Sequence, residues 1–294
     1  TCIERGSGMA IKLIALDLDG TLLTSQKTID EQTKQKLKQA MDAGISIVIA
    51  TGRDKGGIDF VSEPLELATR GKNFVAGVNG QIIYDFYHKE YSVDKVFNGQ
   101  DAKKVMHLAK KMNFECICCC GYDHFDFIRP SLKFMKKMHS ILKGKPMDYG
   151  FNQGKRRFIT IHDADYEITS DVNKFVLIQT APYFEKNLPK IREELKDFEI
   201  LAVGPAWIEI MPKGVSKGNA LLKIGKENGI LPEEMMAFGD AENDMSMFQA
   251  VKYGIAMGNA MESLKQIAYD VTDTNERAGI AKALDKYIFE REDA

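Results

Sequence analysis

Apolar positions near the start of the chain form two short unbroken runs separated by a spaced pattern. Ile11 to Leu16 and Ile45 to Ala50 are continuous enough for strands buried on both faces. Thr28-Ile-Asp-Glu31 has the spacing of a capping box. It predicts a helix that begins there, runs to about Ala43 and is stopped by Gly44. Asn73 to Val78 is a third apolar run, and Asn79-Gly80 marks a turn into Gln81 to Tyr84. Strand alternating with helix predicts an α/β fold, a Rossmann-like, doubly wound parallel sheet.

From about residue 94 to 205 the texture changes. A helical stretch at Ala102 to Met112 is followed by strand-like runs at Glu115 to Cys120, Phe158 to Ile161 and Lys174 to Thr180. This reads as a separate α/β domain inserted into the first, which occupies 9–93 and 206–294. Trp207 to Met211 reads as the return strand into that first domain. Ser216 is placed to cap a helix running to about Asn228, and Met235 to Gly239 and Tyr253 to Met257 are further short strands.

Composition changes this picture little. The 294 residues are 44% hydrophobic and 28% charged, and 40 Lys and Arg against 42 Asp and Glu give a net charge of -2. That balance lacks the electrostatic footprint of a nucleic-acid binder. Lys155-Arg156-Arg157, the longest basic run, reads as a solvated turn. No apolar run is long enough to cross a bilayer, and the start has no signal-peptide core. Residues 1–8, ahead of Met9, read as a remnant outside the fold. Four of five cysteines crowd into Cys116 to Cys120, without the paired spacing of a zinc site. They read as a buried strand in a reducing, cytoplasmic setting.

The chemistry concentrates at strand ends. Asp17-Leu18-Asp19-Gly20-Thr21 follows the first strand, and ligands of open α/β sheets bind beyond such ends. Asp17 and Asp19, two apart, share one face and repel unless a cation or proton intervenes. A hard cation such as Mg²⁺ suits them; a turn or cap pair is the plainer alternative. Thr51-Gly52-Arg53 offers a hydroxyl and backbone N–H groups to phosphate oxygens after the second strand. Lys217 can offset the repulsion between a carboxylate and a phosphate dianion. Asp240 ends a later strand within Gly239-Asp-Ala-Glu-Asn-Asp244, where it can complete a metal site with Asp17.

These four motifs, in this order, resemble the haloacid dehalogenase superfamily, and more narrowly its Cof-type sugar phosphatases with a large α/β (type C2) cap. The resemblance implies that Asp17 attacks the phosphoryl group and becomes an aspartyl phosphate, while Asp19 serves as acid and then base. It implies Mg²⁺ on the Asp17 carboxylate, the Asp19 backbone carbonyl and Asp240. It places Thr51, Gly52, Lys217 and Asn243 on the phosphate, with Asp244 orienting the site. Arg53 and Asn79 become possible substrate contacts, although Asn79 reads equally well as a turn residue. Superfamily ATPases carry Thr where Asp19 stands, so the resemblance favours a phosphatase. The family often has Pro after the arginine of Thr51-Gly52-Arg53, whereas Asp54-Lys55-Gly56-Gly57 follows here, which unsettles the role of Arg53.

The inserted domain is expected to act as a cap that excludes water and contacts the leaving group. Gly121 to Arg129 is aromatic and polar enough to line a pocket, or to form cap core with a wet edge. His124 reads as structural, and Met135 and Met138 as core-facing. The expected partner is a small phosphorylated metabolite, with no nucleic acid and no membrane. Sugar phosphates lead; a cofactor phosphate such as flavin mononucleotide or pyridoxal phosphate is the alternative, and a non-catalytic phosphometabolite-binding regulator the third.

Overall fold

The computed structural model describes residues 10–53, 58–121, 123–144 and 157–290. The expectations for residues 1–8, for Asp54 to Gly57 and for Lys155-Arg156 fall outside them. Two compact units divide the chain: Thr1–Ser92 with Ser216–Ala294, and Val93–Val215.

The first unit is built on an eight-stranded sheet among the described residues. Its strands are β1 (Leu13–Leu16), β2 (Ser46–Ala50), β3 (Phe74–Gly77), β4 (Ile82–Asp85), β5 (Glu90–Val93), β12 (Met235–Gly239), β13 (Tyr253–Ala256) and β14 (Asp270–Val271), in the order β14-β13-β12-β1-β2-β3-β4-β5. β14 through β3 run parallel, and β4 turns antiparallel to β3. The apolar runs explain the burial: every residue of β1, β2, β3, β12 and β13 is buried, as covered parallel strands require. From β1 the chain winds outward through β2 and β3, then returns on the other side at β12 and winds out through β13. The strand order therefore reverses between β1 and β12, which is where open α/β sheets bind ligands.

Helix α1 (Glu31–Asp42) buries Thr33, Leu37, Ala40 and Met41, one face at helical spacing. Its cap differs from the sequence expectation. Asp30, not Thr28, accepts from the Thr33 N–H at 3.0 Å, and Thr28 instead closes a turn with Thr24. Helix α6 (Lys217–Asn228) is capped as expected by Ser216, which accepts from the Asn219 N–H at 3.1 Å.

The second unit carries a six-stranded mixed sheet among the described residues. Its strands are β6 (Glu115–Cys120), β7 (Asp123–Phe127), β8 (Arg157–Ile161), β9 (Lys174–Ile178), β10 (Phe198–Gly204) and β11 (Trp207–Pro212), in the order β10-β11-β9-β6-β7-β8. Trp207–Met211 is thus not a return strand of the first sheet. It forms a hairpin with β10 and pairs with β9, and the unit extends to Val215 instead of ending at 205. A short apolar strand reads the same in either sheet; the hairpin partner decides. Helices α3 (Gly99–Met112) and α5 (Ala181–Glu194) lie over one sheet face, where Val105, Met106, Phe184 and Ile191 join Cys116, Cys118, Phe175 and Leu177. The other face holds a smaller cluster of Ile117, Cys119, Val176 and Ile178 against Trp207.

All four cysteines of β6 are buried and in no disulfide, as the sequence reading expects. Within Gly121 to Arg129, read as a pocket lining or as core with a wet edge, Asp123–Phe127 forms strand β7, next to the edge strand β8. His124 is buried beside the Phe158 ring. Met135 and Met138 are a correction. They lie on α4 (Pro130–Lys143) and are exposed, along with Phe134, Ile141 and Leu142. Their helical spacing marks an apolar face without saying whether it is covered.

Candidate active site

Asp17 is the first residue past β1, and its N–H donates to Phe238 O of β12 at 3.2 Å. That pairing holds the carboxylate at the reversal point of the sheet. Asp240, one residue past β12, sits beside it. Gly20 allows the approach. Its φ is +85°, and a Cβ there would lie 2.4 Å from Asp240 Oδ2. Thr21 donates to Asp240 Oδ1 at 2.7 Å, a contact missed from the sequence although Thr21 lies within the motif.

Lys217 opens α6, and its side chain is fully buried. Its ammonium donates to Asp17 Oδ1 at 2.5 Å and to Asp244 Oδ1 at 2.7 Å. The other Asp244 oxygen accepts from the N–H groups of Asp240 at 2.9 Å and Ala241 at 3.1 Å. Asp244 thereby fixes both the lysine and the Asp240 loop. Because a buried charge persists only when paired, one ammonium between two carboxylates is a strong local constraint. These two anions hold Lys217 protonated against its burial.

Oxygens of Asp17, Asp240 and Asp244 lie within 4.8 Å of one another. Three carboxylates face one ammonium, so the cluster carries surplus negative charge. Burial, with Asp244 and Asp240 adding to it and Lys217 opposing, pushes Asp17 up to about 8. Burial and Asp244 push Asp240 to about 6, against the hydrogen bond from Thr21. The cluster therefore holds protons that a cation can replace. Hard oxygen donors fit a divalent ion of the Mg²⁺ class. Asp17 and Asp240 have oxygens to give, whereas both Asp244 oxygens are already engaged.

Asp19 faces elsewhere. Lys27 Nζ lies 2.6 Å from Asp19 Oδ1, and Arg53 forms a bidentate pair through Nε at 3.0 Å and Nη2 at 2.8 Å. Partial burial raises the Asp19 carboxyl, but these cations outweigh it and hold it below the ordinary range. Its carboxylate is thus paired with two cations and does not join the group formed by Asp17, Asp240 and Asp244. Lys27 was not singled out from the sequence, because a loop lysine carries no pattern.

Thr51 and Gly52 follow β2 next to the exit of β3. Thr51 is buried, its N–H donates to Ala76 O at 2.9 Å, and its carbonyl accepts from the Asn79 N–H at 2.9 Å. Its hydroxyl oxygen accepts from the Arg53 N–H at 3.1 Å. Val78 and Asn79 both have left-handed backbone, with φ of 50° and 56°. Such a conformation is costly for a β-branched residue and concentrates at functional sites. Asn79 is buried within that turn and accepts from Asn243 Nδ2 at 3.3 Å. The structure thus gathers Asp17, Thr51, Gly52, Asn79, Lys217, Asp240, Asn243 and Asp244 from five separate segments, with Asp19 and Arg53 paired beside them.

The chain is similar to known proteins over most of its length. The haloacid dehalogenase-like hydrolase family matches residues 14–284. A putative phosphatase of Streptococcus pyogenes serotype M6 is 30% identical, over 95% of this chain and 99% of its own. The Bacillus subtilis 5-amino-6-(5-phospho-D-ribitylamino)uracil phosphatase YitU is 31% identical, over 94% of this chain and 97% of its own. Among solved structures, the subclass IIB sugar phosphatase BT4131 superposes with a TM-score of 0.74 at 25% identity, covering 94% of this chain and 98% of that one. With the residues of all four motifs in place, the chain belongs to the haloacid dehalogenase-like hydrolases, as a phosphatase of the Cof-type, subclass IIB branch that acts on small phosphorylated metabolites.

Proposed function

We propose that the chain hydrolyses phosphorylated polyols and sugars by way of an aspartyl phosphate on Asp17, in the presence of Mg²⁺. The observation that carries this reading is the buried Asp17 at the reversal point of the sheet, held by Lys217 amid surplus carboxylate charge. Asp17 attacks phosphorus, and the bond from phosphorus to the leaving oxygen breaks. Asp19 gives that oxygen a proton, then takes one from the water that releases phosphate. In the resting arrangement Asp19 is held by Arg53 and Lys27, so it must leave at least one of them to act. Thr51, the Gly52 N–H, Lys217 and Asn243 hold the phosphoryl oxygens, where charge builds in the transition state. Bound at Asp17, the Asp19 carbonyl and Asp240, Mg²⁺ would neutralise phosphate charge.

Two groups of relatives bear on the leaving group. BT4131 is named as a sugar phosphatase, whereas YitU and two further Bacillus subtilis relatives, YwtE and YcsE at 28% identity, are named for a phosphoribitylamino-uracil. Both substrates present a phosphate on a hydroxylated carbon chain, so the second reading differs from the first in the appended ring.

The test is phosphate release from a panel of sugar, polyol and cofactor monoesters with Mg²⁺, beside Asp17→Asn. We expect activity that requires Mg²⁺ and falls more than about 10³-fold in the variant. Release that survives in Asp17→Asn would remove the nucleophile from the scheme. Silence across the panel would remove the substrate class.

A further inference from the structure

The chain that follows Asp19 leaves the sheet. Until α1 begins, its strand pairing is limited to isolated bridges of Leu23 with Asp19 and with Ile29. A segment so lightly paired is poorly fixed by its own backbone. Yet it continues directly from Asp17 and Asp19, so a shift in it would carry the second aspartate along.

Its anchors come from the other end of the sequence. Asn259, in the loop after β13, donates from Nδ2 to Gly20 O at 2.7 Å. Its Oδ1 accepts from the Asn275 N–H at 3.1 Å. Two contacts of opposite sense therefore set the orientation of the Asn259 amide. Asn275 Nδ2 donates to Leu23 O at 2.8 Å, and Glu276 Oε1 accepts from the Ser25 N–H at 2.6 Å.

The Asn259 loop also grips the opposite wall of the site. The Met261 N–H donates to Asp240 O at 2.9 Å, and the Met257 N–H to Gly239 O at 3.1 Å. Residues 257–261 thus hold Gly20 on one side and Asp240 on the other, the same two residues whose close approach shapes the acidic cluster. The mount itself is tightly packed. The Gly258 N–H donates to Asp273 O at 3.1 Å, and a Cβ on Gly279 would lie 2.1 Å from that same oxygen. Close backbone approach of this kind leaves 272–279 little room to shift against 257–261.

Asn259 is exposed and Asn275 half-buried, so these hydrogen bonds add little to global stability. Their effect lies in where they end. A displacement of about 1 Å among reacting groups can cost about 10²-fold in rate.

We propose that Asn259 and Asn275 are positioning residues of the active site, a brace that ties the turn after Asp19 to the Asp240 loop and keeps both aspartates in place beside Asp17. The brace rests on the proposed function for what those aspartates do, and on the hydrogen bonds alone for its existence.

The experiment compares the full chain with Asn259→Ala and Asn275→Ala. Calorimetric titration with Mg²⁺, without substrate, should show Kd raised about 10-fold in each variant, as for loss of groups that orient metal ligands. Asn187→Ala removes a like amide bond, from Asn187 Nδ2 to Tyr183 O on α5, and should leave that Kd unchanged. Because p-nitrophenolate departs without a proton, kcat/KM should fall further for ribitol 5-phosphate than for p-nitrophenyl phosphate. An equal fall for both esters would overturn the role at Asp19. An unchanged Mg²⁺ Kd in the two variants, an equal rise in Asn187→Ala, or no Mg²⁺ binding by the parent chain overturns the brace. Asn275→Ala keeps the test open if Asn259→Ala fails to fold. Should no ester be hydrolysed, the function proposal falls while the Mg²⁺ titration still decides this one.

Discussion

Lys217 donates to two aspartates and loses no charge by burial, because Asp17 and Asp244 leave it no better neutral state. Removing it would strand two buried carboxylates, a loss of about 3–5 kcal/mol by comparison with other broken buried pairs. The same cluster sets a pH dependence. Asp17 and Asp240 are raised in the folded, cation-free protein, to about 8 and about 6. Folding therefore takes up protons there. Their stabilising contribution is complete below the unfolded carboxylate range and is lost as pH rises through about 6 and then about 8. Mg²⁺ competes with those protons, so the rise in Tm that it confers should grow between about pH 5 and about pH 8. Thermal melts across that range, with and without Mg²⁺, check it. A Mg²⁺ effect independent of pH would detach the cation from these carboxylates. At this scale the motif aspartates, Thr51, Lys217 and Asn243 were legible because each stands at a strand end or helix start. Lys27, which clamps Asp19, and Asn275, which donates to Leu23 O at 2.8 Å, were not, since loop paths decide what such residues meet.

Elements translate spacing into position. Ser216 caps α6 and the next residue is Lys217, so the cap also aims the ammonium. Ser216→Ala should cost about 1 kcal/mol, visible as a lower denaturant midpoint. It should also reduce kcat by more than that stability loss explains; an unchanged kcat would separate the cap from the site. Strand and helix identities were mostly readable from apolar periodicity. What was not readable was choice among equivalent partners. Asp30 outcompeted Thr28 as the α1 cap because its carboxylate reaches Thr33 N–H. Trp207–Met211 could complete either sheet, and β10, an apolar run that the sequence reading left unassigned, claimed it. Met135 and Met138 show the same limit, since an apolar stripe specifies a face and not its cover.

At the scale of the whole molecule, the insertion has its own sheet and its own apolar core. Its two ends are tied within the unit, for Lys95 Nζ donates to Lys213 O at 3.0 Å. An excised fragment spanning 93–215 should therefore fold alone and unfold cooperatively. Calorimetry on the fragment tests this, and a broad, non-cooperative trace would make its stability depend on the rest of the chain. No described helix is long and apolar enough to cross a membrane.

The cysteine strand at the centre of that unit has a use of its own. Burial, reinforced by neighbouring thiols, raises Cys118 well above the ordinary thiol range, and burial with Asp123 and Asp171 pushes Cys120 up to about 12. Thiolate is the reactive form, so these sulfurs are doubly protected, by enclosure and by protonation. Alkylation of β6 must then wait for the strand to open. The labelling rate becomes a clock for excursions of the inserted unit, read at a place where no probe has to be added.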